Sequence, residues 1–453
     1  MERHAAAPHS SRSNRAANAS RPGRATVPRL AGLVLALCAA DVAAAAGQTT
    51  TELLVDPQMT VGAGASIAAA IGDAVARAED RFIPPRLFSE RGVPRRVVNV
   101  AYRLLKVASF DLPQEQWLMV ANHEVFGHGG RLRERFDGPI RYRVDAPVPY
   151  GDGGGSTSFD FDRAPTIYEL LAVRAAGMEA DNVAARWMAG RAFVDRHMDV
   201  RGAMRYLAFE LDTLGYILGT DDESESRGHD VFNFIADYNR LAARSGAREL
   251  TPRTVRREAL VSLANPMLGF AAYGIGRYLA VGDPRVSVEA LSIAGMRYLP
   301  IFRYQLTPYG TEWSLTNELA TSDVTSAWLK PTQVEFRLGR APLGKPWGVG
   351  LRQRDVTTWR GWRFRIGVDV WRQPDVAFTR NGADDGALLA AGRLRFGGQF
   401  RSRAERPIDA IWFSSAPATG IIDISLKTPG YIPGEPLRGG VVIRAGLGLP
   451  LHR

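Results

Sequence analysis

The feature that most constrains the fold is a change in the spacing of apolar residues near residue 290. From Gly47 to about Gly282 apolar residues recur at helical spacing, whereas later they alternate with polar ones, as in Trp362–Val370 and Ile422–Leu426. A period of 3.6 residues predicts helices, and a period of two predicts strands with one apolar face. The predicted fold class is therefore α+β, with a mainly helical domain over residues 47–285 and an antiparallel β-barrel of about eight strands over residues 286–453.

Alternation alone does not say which face of these strands meets water. In a membrane barrel the apolar face contacts lipid and the polar face lines the interior, whereas in a soluble sandwich the apolar face is the core. Strands near ten residues long and the number of strands favour an outer-membrane barrel. The chain end, Leu449–Arg453, lacks the terminal aromatic residue usual in such barrels. We expect contact with a bacterial outer membrane and keep the soluble sandwich as the alternative.

Residues 1–46 have the composition of an export signal. Arginines precede the apolar run Leu30–Ala40, and small residues at Ala44–Ala46 precede Gly47, which is the order of a cleaved signal peptide. The run is shorter than the roughly 20 residues a membrane anchor needs. The expected location is the cell envelope, in the outer membrane or periplasm. The only cysteine, Cys38, lies inside this segment, so the mature chain cannot form disulfides.

The basic charge of the chain does not indicate a nucleic-acid partner. The net charge is +10, and it falls to +6 without residues 1–46 because they contain six arginines and two acidic residues. Nucleic-acid binding needs a clustered basic stripe that neutralises several phosphates. A charge this dilute predicts no nucleic-acid binding.

Two further segments need an interpretation. Glu258–Gly282 is the most apolar stretch of the mature chain, but Pro266 and several glycines interrupt it; we expect a buried core helix broken near Pro266, with a membrane span as the alternative. Residues 137–162 predict a small hairpin with a tip at Gly151–Gly155. Its edge could bind an extended peptide by strand addition, or it could be a simple flexible tip.

The candidate chemistry is concentrated in Asn122–Gly129, on a helix predicted to begin at Pro113. Two histidines flank a glutamate there, and neutral imidazoles bind zinc while a neighbouring carboxylate can take a proton from the bound water. His123 and His128 are five residues apart, and on a regular helix such positions point about 140° apart. A one-residue π-type bulge would let both reach one ion, and Gly127 lowers the cost of that distortion.

The motif His123-Glu124-Val125-Phe126-Gly127-His128 resembles the HExxGH variant of the dipeptidyl-peptidase III family of zinc peptidases, of the glutamate-ligand (gluzincin) type. The resemblance covers these six positions, and the family's second motif, a paired glutamate followed by a further acid, is not found. The resemblance implies a zinc cofactor, with His123 and His128 as ligands and Glu124 as the general base.

A second stretch, Gly177–Ala184, lies on a predicted helix about 50 residues downstream. It resembles the Glu-Ala-Asp stretch on the third-ligand helix of several membrane-associated glutamate-type zinc peptidases. In those families the ligand glutamate lies four residues before the aspartate, a position held here by Gly177. Glu179, which lies beside Asp181 on the same predicted helix, is the predicted third zinc ligand, and Asp181 is expected to orient a histidine. Glu169 is the alternative ligand.

Two other histidines lie in the interior of the mature sequence. His229 precedes Asp230 at a predicted helix start and could donate to a developing oxyanion, or it could simply cap the helix. His197, next to Asp195 and Arg196, is expected at the surface.

These patterns predict an exported zinc-dependent metallohydrolase, a peptidase that acts on peptides or proteins in the cell envelope. The alternative is a non-catalytic outer-membrane barrel or scaffold protein whose metal site is structural or vestigial. Three protein ligands with an open position would favour the enzyme, and a closed site with four would favour the scaffold.

Overall fold

The computed structural model describes residues 50–84, 86–89, 92–221, 229–321, 331–359, 362–374, 387–399 and 419–450. The predicted signal segment, residues 1–46, lies outside the described residues. So do the side chains of the first half of the alternating run Trp362–Val370.

Helices occupy the first two thirds of the described chain. They are α1 (Val61–Phe82), α2 (Val93–Lys106), α3 (Leu112–Ala121), α4 (Gly129–Arg135), α5 (Ile167–Asp195), α6 (Val200–Leu218), α7 (Asp230–Ser245), α8 (Pro252–Ala259) and α9 (Pro266–Val281). Two π-helical turns, π1 (Val107–Asp111) and π2 (Asn122–His128), join α2, α3 and α4 into one continuous path. A 3₁₀ turn over Leu260–Ala264 precedes α9.

One large antiparallel sheet has the order β1-β14-β13-β12-β11-β10-β9-β8-β7-β6. Its strands are β1 (Thr50–Val55), β6 (Leu291–Ile293), β7 (Met296–Thr307), β8 (Gly310–Thr321), β9 (Thr332–Arg340), β10 (Trp347–Trp359), β11 (Trp362–Gln373), β12 (Ala387–Gln399), β13 (Thr419–Lys427) and β14 (Gly440–Pro450). Two small ribbons pair β2 (Ile140–Val144) with β3 (Gly155–Phe159), and β4 (His197–Asp199) with β5 (Arg285–Ser287).

The prediction of an α+β chain with an antiparallel C-terminal sheet is confirmed. No closed barrel is found in the described part of the chain, because the end strands β1 and β6 are not paired with each other. The sheet has ten strands where about eight were expected, partly because β1 precedes all the helices and pairs along its length with β14. The predicted boundary at residues 285–286 stays a prediction.

On the strands β9, β13 and β14 the polar face of the sheet is the buried one. Along β9, Glu335 and Arg337 are buried while Phe336 and Leu338 are exposed, and along β13 Asp423 is buried between the exposed Ile422 and the half-buried Ile424. The same alternation of buried polar and exposed apolar residues appears on β14, where Arg444 is buried. The helices pack against this inner face, mainly through α5 and the 3₁₀ turn on β7.

The predicted break near Pro266 is present. The 3₁₀ turn ends at Ala264 and α9 begins at Pro266, and the helical segment Pro252–Ala264 is bent by 64° relative to α9. The expected burial is only partial, since Met267 and Tyr278 are buried whereas Tyr273 is exposed. By length and composition, one described helix (Val61–Asp80) is apolar enough to cross a membrane, and the bent pair would be a second if it acted as one span.

Candidate metal centre

The two motif histidines lie on the π-helical turn π2. The widened turn brings the rings of His123 and His128 to a centroid distance of 5.0 Å, although a regular helix would point positions five apart in different directions. The predicted π-type distortion is therefore confirmed. It places both imidazoles against α5.

Each histidine is fixed by an acceptor at its Nδ1 atom. The Nδ1 of His128 donates to the carbonyl of Val173, at 2.7 Å. The Nδ1 of His123 lies 2.9 Å from Oδ2 of Asp181 and 3.3 Å from Oδ2 of Asp212. The predicted contact between Asp181 and a histidine is thus present. Hydrogen bonds of this kind set the tautomer and leave Nε2 free to bind a metal.

Both Nε2 atoms face the same carboxylate oxygen. Oδ2 of Asp230 lies 3.0 Å from Nε2 of His128 and 3.6 Å from Nε2 of His123. These three buried residues offer ligand atoms within 4.8 Å of one another, so they could hold a metal ion. A second such group, His123 with Asp181 and Asp212, uses the Nδ1 atom that already donates to a carboxylate. We therefore interpret Asp181 and Asp212 as residues that orient His123 within the first group.

The electrostatics of the centre favour a cation. Burial alone would lower the pKa of His123, but hydrogen bonds to Asp181, Asp212 and Asp230 raise it well above its usual value. Burial likewise opposes the charged form of His128, whereas Asp230 raises its pKa. Burial would raise the pKa of Asp230, yet the two imidazoles hold it below its usual range. Without a metal, protons supply the positive charge at this centre, and a divalent cation would replace these protons.

Glu124 lies next to His123 on π2 and is buried. Its Oε2 accepts a hydrogen bond of 2.6 Å from the hydroxyl of Thr157, which also bonds to the Glu124 carbonyl, at 3.1 Å. Gly155 makes this approach of β3 possible, because a β-carbon there would lie 2.8 Å from Cγ of Glu124. The predicted hairpin is present as β2 and β3, and β3 lies directly against the candidate base.

The structure does not bring Glu179 to the histidines. Its carboxylate accepts hydrogen bonds from Arg131, at 2.6 and 3.1 Å, and from the backbone N–H of Gly434, at 2.9 Å. Asp181 faces His123. Side chains two positions apart on a helix point about 200° apart, so Glu179 points away from the histidines. The third position beside the histidines is held by Asp230.

The alternative ligand Glu169 is also elsewhere. It forms the capping box of α5 with Thr166 and ion pairs with Arg135 and Arg163. It has a structural role at the helix start.

His229 is the N-cap of α7, where Nδ1 accepts a hydrogen bond from the backbone N–H of Phe232, at 3.3 Å. Its ring lies 4.9 Å from that of Tyr216, which in turn lies 5.9 Å from that of His123. The capping alternative is therefore present, and the oxyanion role stays a prediction. His197 is exposed, as expected, and bonds to the Asp195 carbonyl.

Sequence reasoning missed Asp230, Asp212 and Tyr216 as members of this region. Asp212 and Tyr216 are four residues apart and so share one face of α6. The sequence signals were this spacing and the His-Asp pair at the start of α7, but neither indicates which other helices they face.

Comparisons with known proteins identify no relative. No protein-family model matches the chain, and no curated protein or solved structure matches it either.

Proposed function

We propose that the chain is a zinc-dependent hydrolase with His123, His128 and Asp230 as metal ligands and Glu124 as general base. The observation that carries this proposal is the convergence of two Nε2 atoms on one carboxylate oxygen, with each histidine held at Nδ1 by an acceptor. Carboxylates and carbonyls orient zinc-binding histidines in this way.

The donor set suits zinc. Two imidazole nitrogens and one carboxylate oxygen are ligands that this ion takes in catalytic sites, where three protein ligands leave a position for water or substrate. The choice of zinc over other divalent ions is part of the proposal. Glu179 and Glu169 are not needed as ligands, since other partners hold both carboxylates.

Bound zinc would lower the pKa of a water molecule toward 7 and polarise a substrate carbonyl. Glu124 would accept the proton of that water and pass it to the leaving amine. Thr157 supports this role because its hydroxyl holds Oε2 of Glu124 in one orientation. Asp181 and the Val173 carbonyl would keep the two histidines in the tautomer that offers Nε2.

The hairpin beside Glu124 favours a peptide as the substrate. In the described part of the chain β3 pairs only with β2, so its other edge presents backbone groups close to the candidate base. An extended peptide can pair with such an edge through main-chain hydrogen bonds. We propose a peptidase that acts in the cell envelope, to which the predicted leader would direct it.

A non-catalytic protein is the second candidate. The observation in its favour is that the ion pair of Asp230 with His128, at 3.0 Å, and the bond of Asp181 with His123, at 2.9 Å, form a network that is complete without a metal. On that interpretation the centre would stabilise the helical part of an envelope scaffold.

Metal content tests the ligand set. Asp230→Asn should weaken zinc binding more than about 100-fold in a chelator competition, because it removes a ligand charge. Glu179→Gln is the control: the amide oxygen keeps only one of the two hydrogen bonds from Arg131, but this side chain does not face the histidines, so the zinc affinity should stay unchanged. The reverse order would return the ligand role to Glu179, and purified wild type without zinc affinity would favour the scaffold.

Glu124→Gln tests the enzyme against the scaffold. The amide keeps the bond from Thr157 but cannot accept a proton, so casein hydrolysis should fall by at least about 100-fold while zinc stoichiometry stays unchanged. Hydrolysis that survives this substitution would reject Glu124 as the base.

A further inference from the structure

The outward face of the large sheet is apolar across several strands. Phe336 is 46% exposed and Leu338 65%, while Leu426 on β13 is 63% and Ile443 on β14 is 55% exposed. Leu426 lies directly opposite Val441, which is also exposed. An antiparallel sheet with one wet face normally has a polar outer face, so this sheet has the opposite polarity.

Several charges of the inner face are paired within the protein. Arg352 lies 2.7 Å from Glu335 and 2.6 Å from Asp369, and Arg303 lies 2.7 Å from Glu210 of α6. Buried charges are tolerated when they are paired in this way. Much of the charge on the inner face is therefore paired inside the protein, and exposed apolar side chains lie on the outward face.

The free edge of the first strand is covered by a helix. On β1, the N–H of Leu54 donates to the hydroxyl of Ser66 on α1, at 2.7 Å, and that hydroxyl donates to the carbonyl of Glu52, at 2.7 Å. An uncovered edge would leave such groups unsatisfied in lipid.

The opposite edge is covered in a similar way. The strand β6 is only three residues long, and beyond it the N–H of Tyr304 on β7 donates to the hydroxyl of Ser262 in the 3₁₀ turn, at 3.0 Å. Ser66 lies on the helix that is long and apolar enough to cross a membrane, and Ser262 lies in the first half of the bent pair Pro252–Ala264 and Pro266–Val281, which is so only if the pair acts as one span. Apolar helical segments thus adjoin both edges of the apolar sheet.

We propose that the outward face of the sheet contacts the hydrocarbon of a lipid bilayer. The strands β7 to β14 are 9 to 13 residues long, and a tilted strand needs about 9 to 11 residues to cross the hydrocarbon. In the described residues, the outward positions between the strand ends of β9, β13 and β14 carry no charge. A protein partner would normally meet a polar rim with hydrogen-bonding groups, so an apolar face of this kind fits lipid.

Lipid contact can be measured directly at single positions of the full chain. In a Cys38→Ala background, Ile443→Cys and, as the matched control, Val148→Cys are each labelled with an environment-sensitive fluorophore. Val148 is an equally exposed apolar residue, but it lies in the loop before β3. Each protein is transferred from detergent into phosphatidylcholine vesicles with brominated acyl chains, which quench only fluorophores in the hydrocarbon.

We expect strong quenching at position 443 and none at position 148. Equal fluorescence at both positions, or a detergent-free protein whose position 443 is shielded by a second copy of the chain, would overturn the proposal. This test has no activity readout, so it stands or falls independently of the metal centre.

Arginine substitution gives a second measurement. Leu426→Arg should reduce co-flotation with phosphatidylcholine vesicles by about 30-fold or more, and Val148→Arg should leave it unchanged. Native-like circular dichroism of both variants in detergent micelles checks that they fold. A folded Leu426→Arg protein that still floats like wild type would contradict lipid contact at this position.

Discussion

At the scale of single residues, two glycines decide how closely the helices approach the candidate metal centre. A β-carbon at Gly177 would lie 2.1 Å from Nε2 of His123, and one at Gly127 would lie 2.6 Å from Cα of Gly177. Such distances are shorter than atoms allow, so α5 can lie against π2 only because both positions lack a side chain. Gly177, which stands where the peptidases with a similar stretch have their ligand glutamate, therefore has no room for such a side chain here.

Gly177→Ala should displace His123 and weaken zinc binding by at least about tenfold, a loss like that caused by changes around metal ligands. Gly215→Ala on α6 is the control, because a β-carbon there meets nothing within 4 Å and Gly to Ala inside a helix usually stabilises by about 1 kcal/mol. Zinc titration and thermal unfolding of both variants measure the effects. Undiminished zinc affinity in Gly177→Ala would mean that His123 does not bind the ion.

At the scale of elements, α5 is held at its start by a network around Glu169. The side chains of Thr166 and Glu169 bond to each other's backbone N–H groups, and Arg135 and Arg163 lie 3.0 and 2.5 Å from the carboxylate. Burial would raise the pKa of Glu169, but these partners lower it to about 2 from its usual 4.5. Because α5 carries Val173 and Asp181, which accept hydrogen bonds from the histidines, and Gly177, which lies against His123, this cap also positions the residues that orient both histidines.

Glu169→Gln should destabilise the protein at pH 7 by about 1–3 kcal/mol, since it removes a charged hydrogen-bond acceptor and weakens the cap. The folded pKa lies below the unfolded one, so the contribution is complete above about pH 4.5 and is lost as the pH falls toward 2. Urea unfolding between pH 7 and pH 3 should show that the difference in free energy of unfolding between variant and wild type becomes smaller as the pH falls. Glu249→Gln, at an exposed position, should change the free energy of unfolding by less than about 0.5 kcal/mol.

At the scale of the whole molecule, charged residues join the helices to the sheet. Glu335 on β9 pairs with Arg186 of α5 and with Arg352 of β10, all largely buried. Arg131 of α4 pairs with Glu179 of α5 and donates to the carbonyl of Glu435 in the segment before β14, at 2.9 Å. The helix α5, which supports the candidate metal centre, is therefore fixed to the inner face of the sheet by the ion pair of Arg186 with Glu335.

Glu335→Gln should destabilise the molecule by about 3–5 kcal/mol, because it removes the counter-charge of the largely buried Arg186 and leaves Arg352 with Asp369 alone. Glu289→Gln, at an exposed position, is the control. Unfolding in detergent micelles would measure both. A loss below about 1 kcal/mol for Glu335→Gln would mean that the pairs do not join helices and sheet.

The sequence by itself determined the periodicity and the local chemistry of this protein. Alternation after residue 290 predicts the antiparallel strands, and the spacing of His123 and His128, with Gly127 between them, predicts the π-helical turn. Both follow from neighbours along the chain. Only the tertiary structure decided which residue completes the centre, since Asp230 is 102 residues from His128 and no local pattern relates them. It also decided that the polar face of the sheet is buried. The same alternation is compatible with burial of either face, and the choice is made when helices with complementary charges, such as Arg186 and Glu210, pack against the polar face.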